Sequence, residues 1–244
     1  MRNLVYFVSD VHLGLEGTAP AEREQRFVTF LQGIPRDALA LYLLGDIWDF
    51  WFEYRDVVPR EGARVVAELV ALMNAGVDVY FFPGNHDLWT FSFFESLGMH
   101  KCEQPATVLI GDRTFCLGHG DGLGGSRFWY GLMLSIFRSR WARALYSTLH
   151  PWLAWRIAAG WSRENRRKHI GYRFRGEDEP LYRFACGQQA DYCIFGHFHS
   201  GADMPLPGGG RLIVLEDWIG GGTPHAVFDT ASSSLTLYPS SPRS

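Results

Sequence analysis

At 244 residues and 47% hydrophobic content, the chain is long enough to bury a substantial core as one domain over 1–244, and too short for a second full domain. A net charge of −3 excludes a general polyanion binder, and no apolar run approaches the roughly 18 residues that cross a bilayer. Cys102, Cys116, Cys186 and Cys193 form no C-x-x-C pair, and no signal peptide precedes the first apolar run. The expectation is a reduced, cytoplasmic compartment, with any membrane contact peripheral.

Short, nearly continuous apolar runs come first. Leu4 to Val8, Leu39 to Leu44, Val77 to Phe82, Thr114 to Leu117, Tyr192 to Phe195 and Leu212 to Leu215 have strand length and are rich in β-branched or aromatic residues. Such runs predict strands covered on both faces. Between the early ones lie helical patterns. Phe27, Phe30 and Leu31 follow Glu22-Arg23-Glu24, and Val65, Val66, Leu69, Leu72 and Met73 end at Gly76, which suits a helix C-cap. This alternation indicates an α/β fold. From Phe128 to about Ile170 the pattern becomes helical and aromatic, predicting a basic, aromatic helical insertion (a lid) at about 126–176. Ten of the 23 Lys/Arg but only one of the 26 acids, Glu164, lie between Arg138 and Arg175. Two more strands, the Gly208-Gly209-Gly210 turn and a hairpin from about Ala226 to Tyr238 close the chain, and the tail from Pro239 is expected to fray.

Five motifs sit where these strands run out: Asp10-Val11-His12, Gly45-Asp46-Ile47-Trp48-Asp49, Gly84-Asn85-His86-Asp87, Gly118-His119-Gly120-Asp121 and Gly196-His197-Phe198-His199. They hold five of the nine histidines. Asp10 and His12, two apart, point to one side and can grip one ion. Asp46 offers two oxygens that can bridge two ions, Asn85 adds a neutral amide oxygen, and His197 and His199 place two imidazoles on one side. Singly, a buried Asp caps a helix, an Asn closes a turn and a His satisfies a core. Five together converge on one sheet edge, where burying unpaired charge is costly and a cation removes the penalty. The pattern predicts a two-metal hydrolytic site, in which cations acidify water and neutralise phosphoryl oxygens. The mixed N/O donor set suits manganese, the favoured choice, or Fe or Zn, over Mg²⁺.

The ordered series D-x-H, G-D-x-x-D, G-N-H-D, G-H-x-D and G-H-x-H resembles the calcineurin-like metallophosphoesterases over Asp10 to His199. The resemblance implies a four-layer αββα sandwich with its site at the strand ends. It implies that Asp10, His12, Asp46 and His199 hold one metal, and that Asp46, Asn85, His119 and His197 hold the other, with Asp46 shared. His86 would lie outside the ligand set, as a donor to the leaving group or a stabiliser of the transition state, oriented by Asp87 or Asp49.

Within the insertion, Ser162, Asn165 and His169 fall at helical spacing with Arg166 and Lys168 beside them, a donor-rich face suited to a phosphate or pyrophosphate. Cations interleaved with tryptophans fit a lipid phosphate at an anionic membrane surface, and nothing suggests nucleic-acid reading. The opening Val8 to Leu13, the Tyr42 to Trp51 stretch and the Arg156 to Lys168 helix resemble the UDP-2,3-diacylglucosamine pyrophosphohydrolase family. That resemblance implies a nucleotide-linked lipid substrate, lipid X and UMP as products in lipid A biosynthesis, manganese, and work at the cytoplasmic face of the inner membrane. By it, Asn85, His86, Ser162, Asn165, Lys168 and His197 bind substrate. The alternatives are a relative acting on another nucleotide, lipid phosphate or phosphoprotein, and a non-catalytic scaffold of the same fold. The scaffold would show damaged motifs, and these are intact.

Overall fold

The computed structural model describes residues 2–54, 56–125, 131, 135, 137, 139–158, 160 and 172–240. Among these residues, eleven strands form two sheets. The first has the order β11-β10-β1-β2-β3-β4, the second β5-β6-β7-β9-β8. In the first, β1 (Leu4–Val8), β2 (Ala40–Leu43), β3 (Asp78–Phe81) and the short β4 (His100–Lys101) run parallel, and the hairpin β10 (His225–Asp229) and β11 (Ser234–Tyr238) pairs antiparallel to β1. In the second, β6 (Arg113–Leu117), β7 (Tyr192–Phe195) and β9 (Arg211–Val214) are parallel. Antiparallel edge strands β5 (Ala106–Ile110) and β8 (Ala202–Pro205) flank them.

The continuous apolar runs have the expected reason: each central strand is buried on both faces. Val5 and Phe7 of β1 meet Phe115 and Leu117 of β6 and Ile194 of β7 between the sheets. Val8, with Leu41 and Leu43 of β2, faces outward onto α1 (Pro20–Gly33) and α2 (Ala63–Asn74), through Phe27, Leu31, Leu69 and Leu72. Cys116, Cys193 and Leu212 turn the other way, onto Leu181 and Ala185 of a helix at Pro180–Cys186. The layers are therefore helix, sheet, sheet, helix, as the family resemblance implies. Gly76 ends α2 at φ +88°, and the Met73 carbonyl accepts its N–H.

β4, β5 and β8 have no counterpart among the sequence-based strands. β4 has two residues, while β5 and β8 are edge strands with alternating exposure, Leu109 among the outward residues. A short helix α3 (Phe93–Ser96) precedes the insertion; within it, α4 (Arg140–Ser147) and residues 151–158, a stretch begun by Pro151, are helical, while 148–150 and 172–175 are not. Ser162, Asn165, Arg166, Lys168 and His169 lie outside the described residues.

Phe7 is fully buried and stacks on Tyr42 at 5.2 Å and on Phe115 at 5.5 Å, joining the two sheets. Phe7→Ala should destabilise the protein by about 3–5 kcal/mol, measured by urea denaturation. A loss below about 1 kcal/mol would mean the intersheet layer closes around the cavity.

Candidate metal centre

Among the described residues, seven parallel strands, four from the first sheet and three from the second, point their C-terminal ends at one edge, and the predicted site residues follow five of them. The loops after β1 and β2 stay zipped past the strands. Asp10 N–H donates to Gly45 O (3.1 Å), His12 N–H to Asp46 O (3.0 Å) and Leu13 N–H to Ile47 O (2.9 Å). Asp10, His12, Asp46, His197 and His199 all sit at positive φ, between +51° and +74°. Non-glycine residues seldom hold that conformation, and such strain gathers where the surrounding structure fixes a functional geometry. The neighbouring glycines are sterically required. A Cβ on Gly84 would strike the Asp46 carboxylate, and one on Gly196 would strike Ser9 and Asp10.

All seven residues read from the motifs as donors lie in one cluster, in which Asp10, His12, Asp46 and His119 are buried and Asn85, His197 and His199 are partly exposed. His12 Nε2 is 3.8 Å from both Asp10 Oδ1 and Asp46 Oδ2, and Asp46 Oδ2 is 3.2 Å from His119 Nε2. His119 Nε2 lies 3.3 Å from Asn85 Oδ1. The His197 ring approaches His119 at 5.1 Å, and the His199 ring stacks on His12 at 5.0 Å. Among the described residues, three triads bring one donor atom each within 4.8 Å: Asp10, His12 and His199; Asp10, Asp46 and His119; and His12, Asp46 and His86.

The carboxylates divide their oxygens. Asp10 Oδ2 accepts the Ser9 hydroxyl (2.6 Å) and the His197 N–H (2.9 Å), while Asp46 Oδ1 accepts the His86 N–H (2.9 Å). Asp10 Oδ1 and His12 Nε2 are buried with no hydrogen-bond partner. Buried polar atoms are rarely left so, and a divalent cation is the partner this donor set fits. The imidazoles are turned by their far edges: His12 Nδ1 meets Asp49 Oδ1 at 3.1 Å, and His119 Nδ1 meets the Leu44 carbonyl at 3.0 Å. Each therefore presents Nε2 inward.

Of the two acids expected beside His86, the structure turns Asp87 elsewhere and keeps Asp49 within ion-pair distance. Asp87 accepts from the backbone N–H groups of Asp46, Ile47, Trp48 and Gly84, binding the β2 and β3 loops together. The Asp49 carboxylate serves His12, its Oδ1 standing 3.7 Å from His86 Nδ1. His86 Nδ1 instead meets the Asp49 backbone carbonyl at 2.9 Å, turning Nε2 toward Asp46 Oδ2, 4.0 Å away. Gln104 was not legible as part of the site. Its Oε1 accepts the His119 and Gly120 N–H groups (2.6 and 3.0 Å), and its amide donates to Asp121.

Burial pushes the Asp10 carboxyl up, but His12, His119 and His199 outweigh it and hold the group down at about 2. Burial likewise opposes ionisation of Asp46, and His119, His86 and His12 hold it well below the carboxylate range. The same carboxylates reverse the effect of burial on His12, raised to about 9, and on His119, raised well above its ordinary value. His197, buried beside His119, falls to about 3, and burial lowers His86 as well. Asp87 rises to about 7 through burial and the Asp46 charge, against its N–H donors.

A calcineurin-like phosphoesterase family model matches residues 4–201. The chain is 38% identical over 240 residues to the UDP-2,3-diacylglucosamine hydrolase of Porphyromonas gingivalis, covering 90% of this chain and 92% of that protein. It is 33% identical to the enzyme of the same name from Vibrio vulnificus, covering 89% and 90%. The chain belongs to the calcineurin-like phosphoesterase family.

Metal-free protein at neutral pH should carry protons on His12 and His119, which a cation must displace. Because the His12 pKa is raised, its favourable protonated contacts are fully present below about 6.5 and lost as pH rises through about 9. Cation affinity should therefore climb across that window, with net proton release at pH 7.5. Calorimetry in buffers of different ionisation enthalpy measures this, and binding without proton release would contradict it.

Proposed function

We propose that this chain hydrolyses the phosphoric anhydride of a nucleotide-linked lipid, UDP-2,3-diacylglucosamine, to lipid X and UMP in lipid A biosynthesis. The observation that carries the reading is a cavity of about 190 Å³ beside the donor cluster. Asn85, His86 and Asp49 form its polar end; Leu88, Trp89, Phe137, Tyr146, Ile157 and Ala158 make the rest apolar. A phosphoester enzyme for water-soluble nucleotides has no need of such a chamber, whereas an acyl chain attached close to the scissile anhydride requires one. The two relatives named above carry that activity in their names.

The cavity lies between body and insertion. Trp89 of the β3 loop donates its indole N–H to the Phe137 carbonyl (2.9 Å), and its ring lies 4.7 Å from that of Tyr146. We read the chain as one domain over 1–244, with the insertion as the substrate-selecting lid. In this reading Ser162, Asn165, Arg166 and Lys168 grip the diphosphate with Asn85, His86 and His197. The exposed side chains of Trp141, Leu145, Trp152 and Leu153, with Arg156 over the Trp152 ring at 4.8 Å, support peripheral contact with an anionic membrane on its cytoplasmic face. Among the described residues no helix is long and apolar enough to cross it.

Asp10, His12, Asp46 and His199 would hold one divalent cation, and Asp46, Asn85, His119 and His197 the second, with manganese favoured over iron or zinc. Bound there, the cations supply Lewis acidity, acidifying water and offsetting phosphoryl charge. The residues do the rest. Asp46, fixed by the His86 N–H through Oδ1, keeps Oδ2 at the centre of the cluster. His86 holds its Nδ1–H on the Asp49 carbonyl, so its Nε2 is the edge that meets substrate. Burial keeps that ring neutral in the free protein, and an arriving phosphate raises its affinity for a proton, readying Nε2 to donate to the leaving oxygen or to developing charge.

His86→Ala should retain both cations yet slow turnover by roughly 10²–10⁴-fold. If a substrate with a good leaving group is slowed as much, His86 stabilises charge rather than donating a proton. Ala158→Trp, which fills the chamber, should raise KM for UDP-2,3-diacylglucosamine by at least about tenfold and leave hydrolysis of a small chromogenic phosphodiester unchanged. Equal hydrolysis of acylated and unacylated UDP-sugars by the unaltered protein would overturn the lipid reading.

A further inference from the structure

Strand β9 also ends at the site edge, and none of the five motifs follows it. Past it come Leu215, Glu216 and Asp217. Asp217 is buried, with Oδ2 3.3 Å from His199 Nδ1. Its other oxygen is fixed: Oδ1 accepts the Ile219 N–H at 2.8 Å and the Gly220 N–H at 3.2 Å. The next residue anchors the loop. Trp218 N–H donates to the Asp10 carbonyl (3.1 Å), and its fully buried ring packs edge-on against Phe27 at 5.1 Å and Phe30 at 5.4 Å. A carboxylate held this firmly is placed by the fold.

His199 needs such a partner more than the other imidazoles do. The His12 side chain is wholly enclosed, whereas 34% of the His199 side chain is exposed. Its ring is stacked on His12 on one side and partly open to solvent. The 3.3 Å approach is an ion-pair contact, and Nδ1 is otherwise buried without a hydrogen-bond partner. A small ring rotation closes it. Asp217 belongs to none of the triads whose donors come within 4.8 Å of one another, so it stands behind His199 and not among the cation donors.

We propose that Asp217 is a positioning residue: it accepts the Nδ1–H of His199, fixes the tautomer that leaves Nε2 to the cation, and sets the affinity of the site formed with Asp10 and His12. This rests on the two-cation reading above. It makes the two sites unequal. Both imidazoles of this site, His12 and His199, are backed by carboxylates, Asp49 and Asp217, while His119 is backed only by the Leu44 carbonyl. A carboxylate partner raises ligand basicity more than a carbonyl does.

The test is calorimetric titration of metal-free protein with Zn²⁺. Wild type should bind in two steps, and Asp217→Asn should weaken one step by about 10–100-fold while leaving the other unchanged. In a His199→Ala background the same substitution should add nothing, because Asp217 acts through His199. Equal loss in both backgrounds, equal weakening of both steps, or no loss would overturn the proposal. Wild-type protein that binds no Zn²⁺ would instead overturn the two-cation reading itself. A measurement on the unaltered, zinc-loaded protein covers a variant that fails to fold. Long-range ¹H–¹⁵N spectra should show His199 protonated at Nδ1, and protonation at Nε2 would refute the assignment.

Discussion

The site edge is arranged around one electrostatic constraint: two carboxylates and two imidazoles are buried together, with two further imidazoles, His197 and His199, at the partly exposed rim. Asp10, His12, Asp46 and His119 are fully or almost fully enclosed. Groups of this kind are not buried unpaired without a heavy penalty. Here part of the penalty is met by protons shared between acids and imidazoles, which is why His12 is raised to about 9 while Asp10 is held to about 2. That sharing leaves Asp10 Oδ1 and His12 Nε2 without partners. A divalent cation satisfies both at once.

The fold supplies the means of holding such a cluster. Two sheets packed through Phe7, Phe115 and Ile194 bring the C-terminal ends of seven parallel strands to one edge among the described residues. Each loop is then locked to its neighbour by backbone hydrogen bonds. Asp87 gathers four N–H groups across the β2 and β3 loops, Gln104 ties the β6 loop to the chain before β5, and Trp218 fixes the β9 loop to Asp10. The positive φ of five donor residues is the strain that this interlocking sustains. A rigid donor set of this kind favours a bound cation over a rearranged, metal-free centre, since little ordering remains to be done on binding.

The strands and the donors were legible because their physical causes act locally. A strand buried on both faces must be apolar throughout, and a donor at its end needs a glycine beside it to make room, so Gly45-Asp46 and Gly84-Asn85 announce themselves. The edge strands β5 and β8 carry only alternation, and Pro205 in β8 suits an edge alone. Gln104 and Asp217 were missed for a different reason. Their roles depend on backbone N–H groups and a ring brought from distant segments, and neither carries a neighbouring motif that signals it. Asp49 and Asp87 were recognised, but what each touches is set by loop packing, so the sequence left their partners open. The apolar chamber is tertiary too: Leu88 and Trp89 meet Phe137, Ile157 and Ala158 only after the insertion folds back.

The central claim is that the convergent donors exist to hold two cations through a shared Asp46. Anomalous diffraction from crystals grown with Mn²⁺ tests it most directly. The account predicts two peaks per chain, on either side of Asp46, both lost in Asp46→Ala. A single peak away from Asp46, or full phosphoesterase turnover by protein stripped of metal, would contradict it.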